Sequence, residues 1–232
     1  MTDFLNSSSV WGEVITIGAF AMGTFLHRKS KAQWCNPLLL GSVFVIVLLY
    51  VLKIPYPDYK QSTSPLTCLL FPATVSLAIP LYEQWELLKK NLVAILAGIT
   101  AGVLTSIGSI ALICLFFRLD AASAVSLLPK SVTTAIGVDV ATELDGIPAL
   151  ATAVIILTGI IGNLIAAGAC KLLRLANPIA RGIAIGTSSH AIGTSKALEM
   201  GQVEGAMSSL SIAVAGILTA VLCPITGTLL FG

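Results

Sequence analysis

Two short stretches of this sequence place polar chemistry inside apolar surroundings. The first is Leu127-Leu128-Pro129-Lys130-Ser131-Val132-Thr133-Thr134, and the second is Gly186-Thr187-Ser188-Ser189-His190-Ala191-Ile192-Gly193-Thr194. A lysine at the centre of a membrane segment costs about 2.5–3.5 kcal/mol on insertion scales, so Lys130 needs a partner or a watery cavity. Pro129 lacks an amide hydrogen and interrupts a helix. The half-helix after it then begins with free N–H groups, and that positive dipole end favours an anion. Lysine, free amides and the hydroxyls of Ser131, Thr133 and Thr134 together suit a carboxylate-sized anion. In the second stretch Gly186 and Gly193 permit unwinding, and Thr187, Ser188 and Ser189 supply hydroxyls. His190, whose ordinary pKa of about 6.5 sits near neutrality, is the candidate to carry a proton. A bland reading stands beside this one: Lys130 snorkels to an interface, the hydroxyls bond back to their own helices, and His190 is a buried hydrogen-bonder.

Other chemistry fits these residues poorly. No second His, Asp or Glu accompanies His190 at ligand spacing, which argues against a metal. Ser189 adjoins His190 without the elbow or third residue of a serine hydrolase. The expectation is a protein that is not an enzyme and carries no metal or cofactor. Cys35, Cys68, Cys114, Cys170 and Cys223 show no metal or redox spacing and read as small core residues.

The elements that must hold these residues follow from composition. The 232 residues are 56% hydrophobic and 10% charged, where soluble domains run to roughly 25% charged. With a mean hydropathy of +0.96, this is a chain for lipid. Thirteen basic residues against eleven acidic ones exclude a nucleic-acid surface or an acidic tail as the default. At about 20 residues per span, the chain is expected to form a single all-α polytopic domain over residues 1–232, with about seven or eight membrane segments. Clear spans are residues 10–26, 38–52, 92–117, 147–170 and 206–230. Three further segments, residues 66–82, 121–142 and 178–198, are apolar yet dense in Ser, Thr, Gly or Pro. Hydrocarbon cannot replace a lost backbone hydrogen bond, so such broken segments are buried in protein or line a cavity.

Laid over one another, the three broken segments show a repeat. Ala73-Thr74-Val75-Ser76-Leu77-Ala78-Ile79-Pro80, Lys130-Ser131-Val132-Thr133-Thr134-Ala135-Ile136-Gly137 and Gly186-Thr187-Ser188-Ser189-His190-Ala191-Ile192-Gly193 share one pattern, and their starts are 57 and 56 residues apart. Thr74 and Ser76, between the helix breakers Pro72 and Pro80, take the places of Ser131 and Thr133 and join the candidate binding residues. Four units are expected, at residues 10–53, 66–117, 121–173 and 178–231. Internal repeats with interrupted helices at the midplane are a common build for secondary transporters.

The basic residues Arg28, Lys29 and Lys31 put the first loop in the cytoplasm by the positive-inside rule. Lys89 and Lys90 then fall inside. The cluster Lys171, Arg174 and Arg181 does so only if residues 121–142 enter the membrane and turn back. A re-entrant or broken helix is therefore expected there, and an odd number of crossings between the second and fourth repeats would invert them, as in many transporters. Asp139 is expected to pair with Lys196 or to reach water, and Asn163 to bond between helices.

At these residues the sequence resembles a known family. Asn36-Pro37-Leu38-Leu39, the run Pro72-Ala73-Thr74-Val75-Ser76-Leu77-Ala78-Ile79-Pro80-Leu81-Tyr82-Glu83-Gln84, and the Lys130 and His190 stretches look like those of the LrgB/CidB family, and the likeness covers essentially the whole chain. Ala135 and Gly137 depart from the Pro and Ala common there. The resemblance implies a multi-pass protein of the bacterial inner membrane with one of two functions. One is transport of small monocarboxylates of the glycolate, glycerate or pyruvate class, as in the similar half of the plastidic glycolate/glycerate translocator. The other is antiholin-like or holin-like control of murein hydrolase release and lysis. It also implies a small LrgA/CidA-like membrane partner; a homo-oligomer is compatible with either function.

Overall fold

The computed structural model describes residues 10–30 and 37–232; Lys31, Cys35 and Asn36 lie outside the described residues. Among these residues the regular structure is entirely helical, and the chain forms two compact units, Met1–Ser76 and Leu77–Gly232. An all-α polytopic membrane protein with broken helices is what the sequence predicts, because a helix satisfies its own backbone in lipid.

In the first unit, α1 (Trp11–Ser30) packs on α2 (Pro37–Leu52) where Gly41 faces the backbone of Ala19 and Phe20. Three short helices follow, α3 (Tyr56–Ser62), α4 (Ser64–Cys68) and α5 (Leu70–Ser76). The Tyr59 hydroxyl shares a 2.7 Å hydrogen bond with Thr16 and ties α3 to α1. Cys68 is exposed, unlike the buried Cys114, Cys170 and Cys223, so the reading of it as a core residue is corrected. The joints at Thr63, Leu69 and Leu77 precede Pro65, Pro72 and Pro80 by two or three residues; Thr63 leaves helical geometry, whereas Leu69 and Leu77 keep helical backbone angles. Each proline lacks the amide that would bond to the turn before it, so one backbone hydrogen bond is lost in that turn.

The second unit opens with α6 (Ala78–Glu83) and the long α7 (Trp85–Phe116). The latter starts seven residues before the apolar run from Leu92, because Glu86 and Lys89 pair at 2.7 Å on its first turns and extend it. Large apolar side chains such as Val93, Leu112 and Phe116 stand exposed, as a lipid-facing helix requires. A buried stripe of Ile95, Ile99, Val103 and Ile107 meets Ala206, Met207 and Ala215 of α12 (Gln202–Phe231) in the main core.

Residues 121–147 form a hairpin. The first arm is α8 (Ala121–Leu127), capped by Asp120, whose carboxylate accepts the Ser123 amide at 2.9 Å. That bond holds the Asp120 carboxyl below the usual carboxylate range. The chain leaves helical geometry over residues 128–133 and resumes as α9 (Thr134–Glu143). At about 1.5 Å per residue neither arm spans a bilayer of about 30 Å. The Ile147 amide, beyond α9, donates to Ser126 Oγ at 2.6 Å, near the end of α8, so the chain has turned back. From there α10 (Pro148–Leu172) runs toward the loop of Lys171 and Arg174.

The segment α11 (Pro178–Met200) is a second hairpin, folded at His190, whose φ of 42° and ψ of −141° leave the helical region. In a straight helix residues 185 and 193 would stand about 12 Å apart. Here Gly193 packs directly on Ile185, and Ile185 and Ala197 share one buried cluster with Ala166 and Cys170 of α10. Gly182 and Gly186 of the first arm face Glu204 and Ser208 of α12 in parallel order. On the returning arm, Leu198 faces Gly205, and Thr194 shares a 2.7 Å hydrogen bond with Ser208 in antiparallel order. Both ends of this hairpin lie at the Lys171 end of α10, where Leu175 and Met200 pack near Cys170, whereas the first hairpin is based at its Pro148 end. The expected breaks at Gly186 and Gly193 are thus corrected: the fold falls on His190, and the glycines are spent on close approach.

A Cβ on Gly186 would stand 2.6 Å from Ser208 O and Ser211 Cβ, whereas one on Gly168 would meet nothing within 4 Å. Gly186→Ala is therefore expected to lower the thermal midpoint of detergent-purified protein by overpacking, at about 1–3 kcal/mol. Gly168→Ala is expected to raise it slightly, by about 0.5–1 kcal/mol of helix propensity. Equal shifts in the same direction would refute this packing.

Candidate functional site

The two hairpins enter from opposite ends of α10, and their tips converge on its middle. Gly137, one turn into α9, packs on Ile155 of α10 and beneath Pro129. His190 is buried, and its Nε2–H donates to the Ile155 carbonyl at 3.0 Å. Gly159 makes room for the imidazole, since a Cβ there would lie 2.8 Å from His190 Cε1. The depth follows from helix geometry. Ser106 lies ten residues from the Phe116 end of α7, and Thr158 ten residues from the Pro148 end of α10; that is about 15 Å in each case, half of a hydrocarbon core of about 30 Å.

Lys130 sits at this level, half-buried, on the tip of the first hairpin. Its Nζ donates to Ser131 Oγ at 2.9 Å and to Ser106 Oγ at 3.5 Å, and the two serine hydroxyls share a 2.9 Å bond. Among the described residues the ion pairs are Lys89–Glu86, Arg181–Glu204 and Lys196–Glu199, so no carboxylate of the chain neutralises Lys130 there. Thr133 is the N-cap residue of α9, with its side chain making no capping bond. The first bond of that helix runs from Gly137 N to Thr133 O at 2.9 Å, so the amides of Thr134, Ala135 and Ile136 precede it. An ammonium and two hydroxyls thus gather near mid-membrane, and α9 begins three residues beyond Ser131.

Two cavities meet at Lys130. One, of about 680 Å³, runs along α7 and the first arm of α11 from Asn91 and Asn177 to Ser131. The other, of about 480 Å³, follows α10 from Thr158 to Leu173. Lys130, Ala184 and Ser188 line both.

The model of the LrgB-like family matches residues 16–229. The chain belongs to the LrgB-like family. It is 35% identical over 226 residues to the Antiholin-like protein LrgB of Bacillus subtilis (strain 168), which covers 97% of this chain and 98% of that one. It is also 35% identical over 215 residues to the protein of the same name from Bacillus mycoides (strain KBAB4), covering 92% and 94% of the two chains. No solved structure matches this sequence.

Not every expected residue of this LrgB-like chain joins the constellation. Thr187 donates to Ile183 O at 2.7 Å and Ser188 to Ile185 O at 3.3 Å, so both face the cavities as acceptors. Ser189 shares a 3.0 Å bond with Ser188, packs against Gly162 and lines the smaller cavity with Lys130. Thr74 and Ser76 belong to the first unit, are exposed, and donate to Leu70 O and Ala73 O of their own helix. Pro72 and Pro80 stand inside α5 and α6, and the joints before them, at Leu69 and Leu77, keep helical backbone angles. Lys196 pairs with Glu199 and not with Asp139, which is exposed. Asn163 bridges α10 to the second hairpin, donating to Ile192 O at 2.7 Å and Ser195 Oγ at 2.9 Å.

Ser106 and the Arg181–Glu204 pair are absent from the sequence reading. The one signal for Ser106 is a serine mid-way along an apolar span. Glu204 is buried where a span end was expected.

A membrane-level ammonium without a counter-charge destabilises the empty protein. Lys130→Met is therefore expected to raise the thermal midpoint of LrgB-like protein purified without small anions. A lowered midpoint would mean that Lys130 is a structural residue.

Proposed function

We propose that this LrgB-like membrane protein binds a small monocarboxylate at Lys130 and passes it across the membrane, without acting as an enzyme. The observation that carries this reading is the ammonium held by Ser106 and Ser131 where two cavities meet near mid-bilayer. A carboxylate there would receive charge-assisted hydrogen bonds from Lys130. Ser131 and the cavity-lining Thr187, Ser188 and Ser189 complete its surroundings, while Thr133 and Thr134, at the N-terminus of α9, line neither cavity. Two hairpins of opposite entry supporting one site suit the build in which inverted repeats carry a substrate near the midplane. The substrate class is glycolate, glycerate or pyruvate. In this reading His190 couples a proton, taken up at Nδ1 because Nε2 already donates to Ile155.

The second reading is antiholin-like control of murein hydrolase export and lysis, with a small LrgA/CidA-like membrane partner. The printed names of the relatives favour it directly, and none of them speaks for a carboxylate. The two are compatible if altered carboxylate flux is the cause of the lysis effect.

Uptake of radiolabelled glycolate, glycerate and pyruvate into proteoliposomes separates them. Transport predicts saturable flux that falls to background in Lys130→Ala. Absence of flux with purified protein and partner, or undiminished flux in that variant, overturns it. A lysis phenotype indifferent to Lys130→Ala but sensitive to partner-facing surfaces selects the antiholin-like reading.

A further inference from the structure

Both cavities at Lys130 extend toward the same end of the second unit. Along α7 the first reaches fifteen residues from Ser106 back to Asn91 but only three forward to Ser109; by helix rise that is about 22 Å against about 5 Å. Along α10 the second reaches from Thr158 to Leu173 and does not extend toward Pro148. That shared end carries Lys171, Arg174 and Arg181. On the other side of Lys130 neither cavity continues: Leu128, Val132, Val140 and Ala141 are buried, Leu144 and Val125 close on Gly227, and the separate cavity of about 350 Å³ between α7 and α12, from Leu104 to Leu230, is lined by neither Lys130 nor the first hairpin.

The two hairpins are also anchored unequally. The second is held to α12 by Gly182, Gly186 and the Thr194–Ser208 bond, to α10 by Asn163, and at its base by Arg181 and Glu204, 3.5 Å apart. The first has arms of seven and ten residues, is closed at its base by Ser126, and has its tip joined to α7 through Ser106 and Ser131.

We infer that the Lys130 site is open from the Lys171 end and sealed from the opposite face by the first hairpin, which acts as a gate with the Ser106–Ser131 bond as its latch and Ser126 as its buckle. This rests on the proposed anion site. An anion that draws on Lys130 and the Ser131 hydroxyl competes with the latch, so occupancy and opening are linked.

The test reads accessibility and needs no substrate. A full-length variant with its five cysteines replaced carries Thr105→Cys, an exposed residue on the wall of the larger cavity. It is labelled with a membrane-impermeant thiol reagent in sealed vesicles of both orientations, with the Lys171 loop located independently. Labelling is expected from the Lys171 side alone. Adding Ser106→Ala, or separately Ser126→Ala, is expected to raise labelling from the other side roughly 2- to 10-fold, the population change that one lost hydroxyl hydrogen bond makes. Equal labelling from both sides of the latched protein, or no change in either serine variant that still elutes as a single species, overturns the inference. Sided labelling without carboxylate flux keeps the gate and removes the transport reading; flux with unsided labelling does the reverse.

Discussion

Hydrocarbon offers no hydrogen bonds, and the architecture of the second unit answers that constraint. Its backbone leaves helical geometry near mid-membrane in two places, at residues 128–133 and at His190. In lipid each unpaired amide or carbonyl would cost several kcal/mol. Leu128, Ser131 and Val132 at one break, and Ser189 and His190 at the other, are accordingly buried in protein. Each hairpin packs near the middle of α10, at Ile155 and Gly159. In the proposed reading the irregularity that lipid forbids is what offers the hydroxyl of Ser131 to a polar solute.

Holding two hairpins so close asks for backbone-to-backbone approach, and glycine supplies it. Gly182 and Gly186 bring the first arm of α11 onto α12. Gly98 and Gly102 bring α7 onto Ile183 and Thr187 of the same arm. Gly159 leaves the space that the His190 ring occupies. Association in membranes gains little from the hydrophobic effect, since lipid tails are as apolar as leucine; close packing and cross-helix bonds such as those of Asn163 and Thr194 take its place.

In the proposed reading Lys130 converts this scaffold into a site. Its charge is held by two hydroxyls and no carboxylate among the described residues, an arrangement that leaves a positive potential at the junction of two cavities. An assembly regulator alone would gain nothing from such a charge at that depth, whereas passage of an anion would use it. The family relationship and the antiholin-like names of the relatives remain compatible with this physics if the anion's movement is what the cell senses.

Membrane residence, helical class and the broken character of residues 121–142 and 178–198 were legible in the sequence, because composition and proline act locally. The cost of Lys130 was legible for the same reason: a charge amid Leu127, Leu128 and Val132 is expensive wherever the chain goes. What the tertiary structure decided is pairing. Only the return of the chain at Ile147 puts Ser126 at the base of a hairpin, and only the close passage of α7 makes Ser106 the partner of Lys130. The second fold sits at His190, not at a glycine, because Gly186 and Gly193 are needed for contact with Ser208 and Ile185. Thr74 and Ser76 match the repeated pattern yet bond to their own helix, since a pattern of residue types does not say where a segment docks. Local chemistry sets what a segment cannot tolerate; which groups relieve it depends on contacts between residues far apart in the chain, and those exist only once the helices have packed.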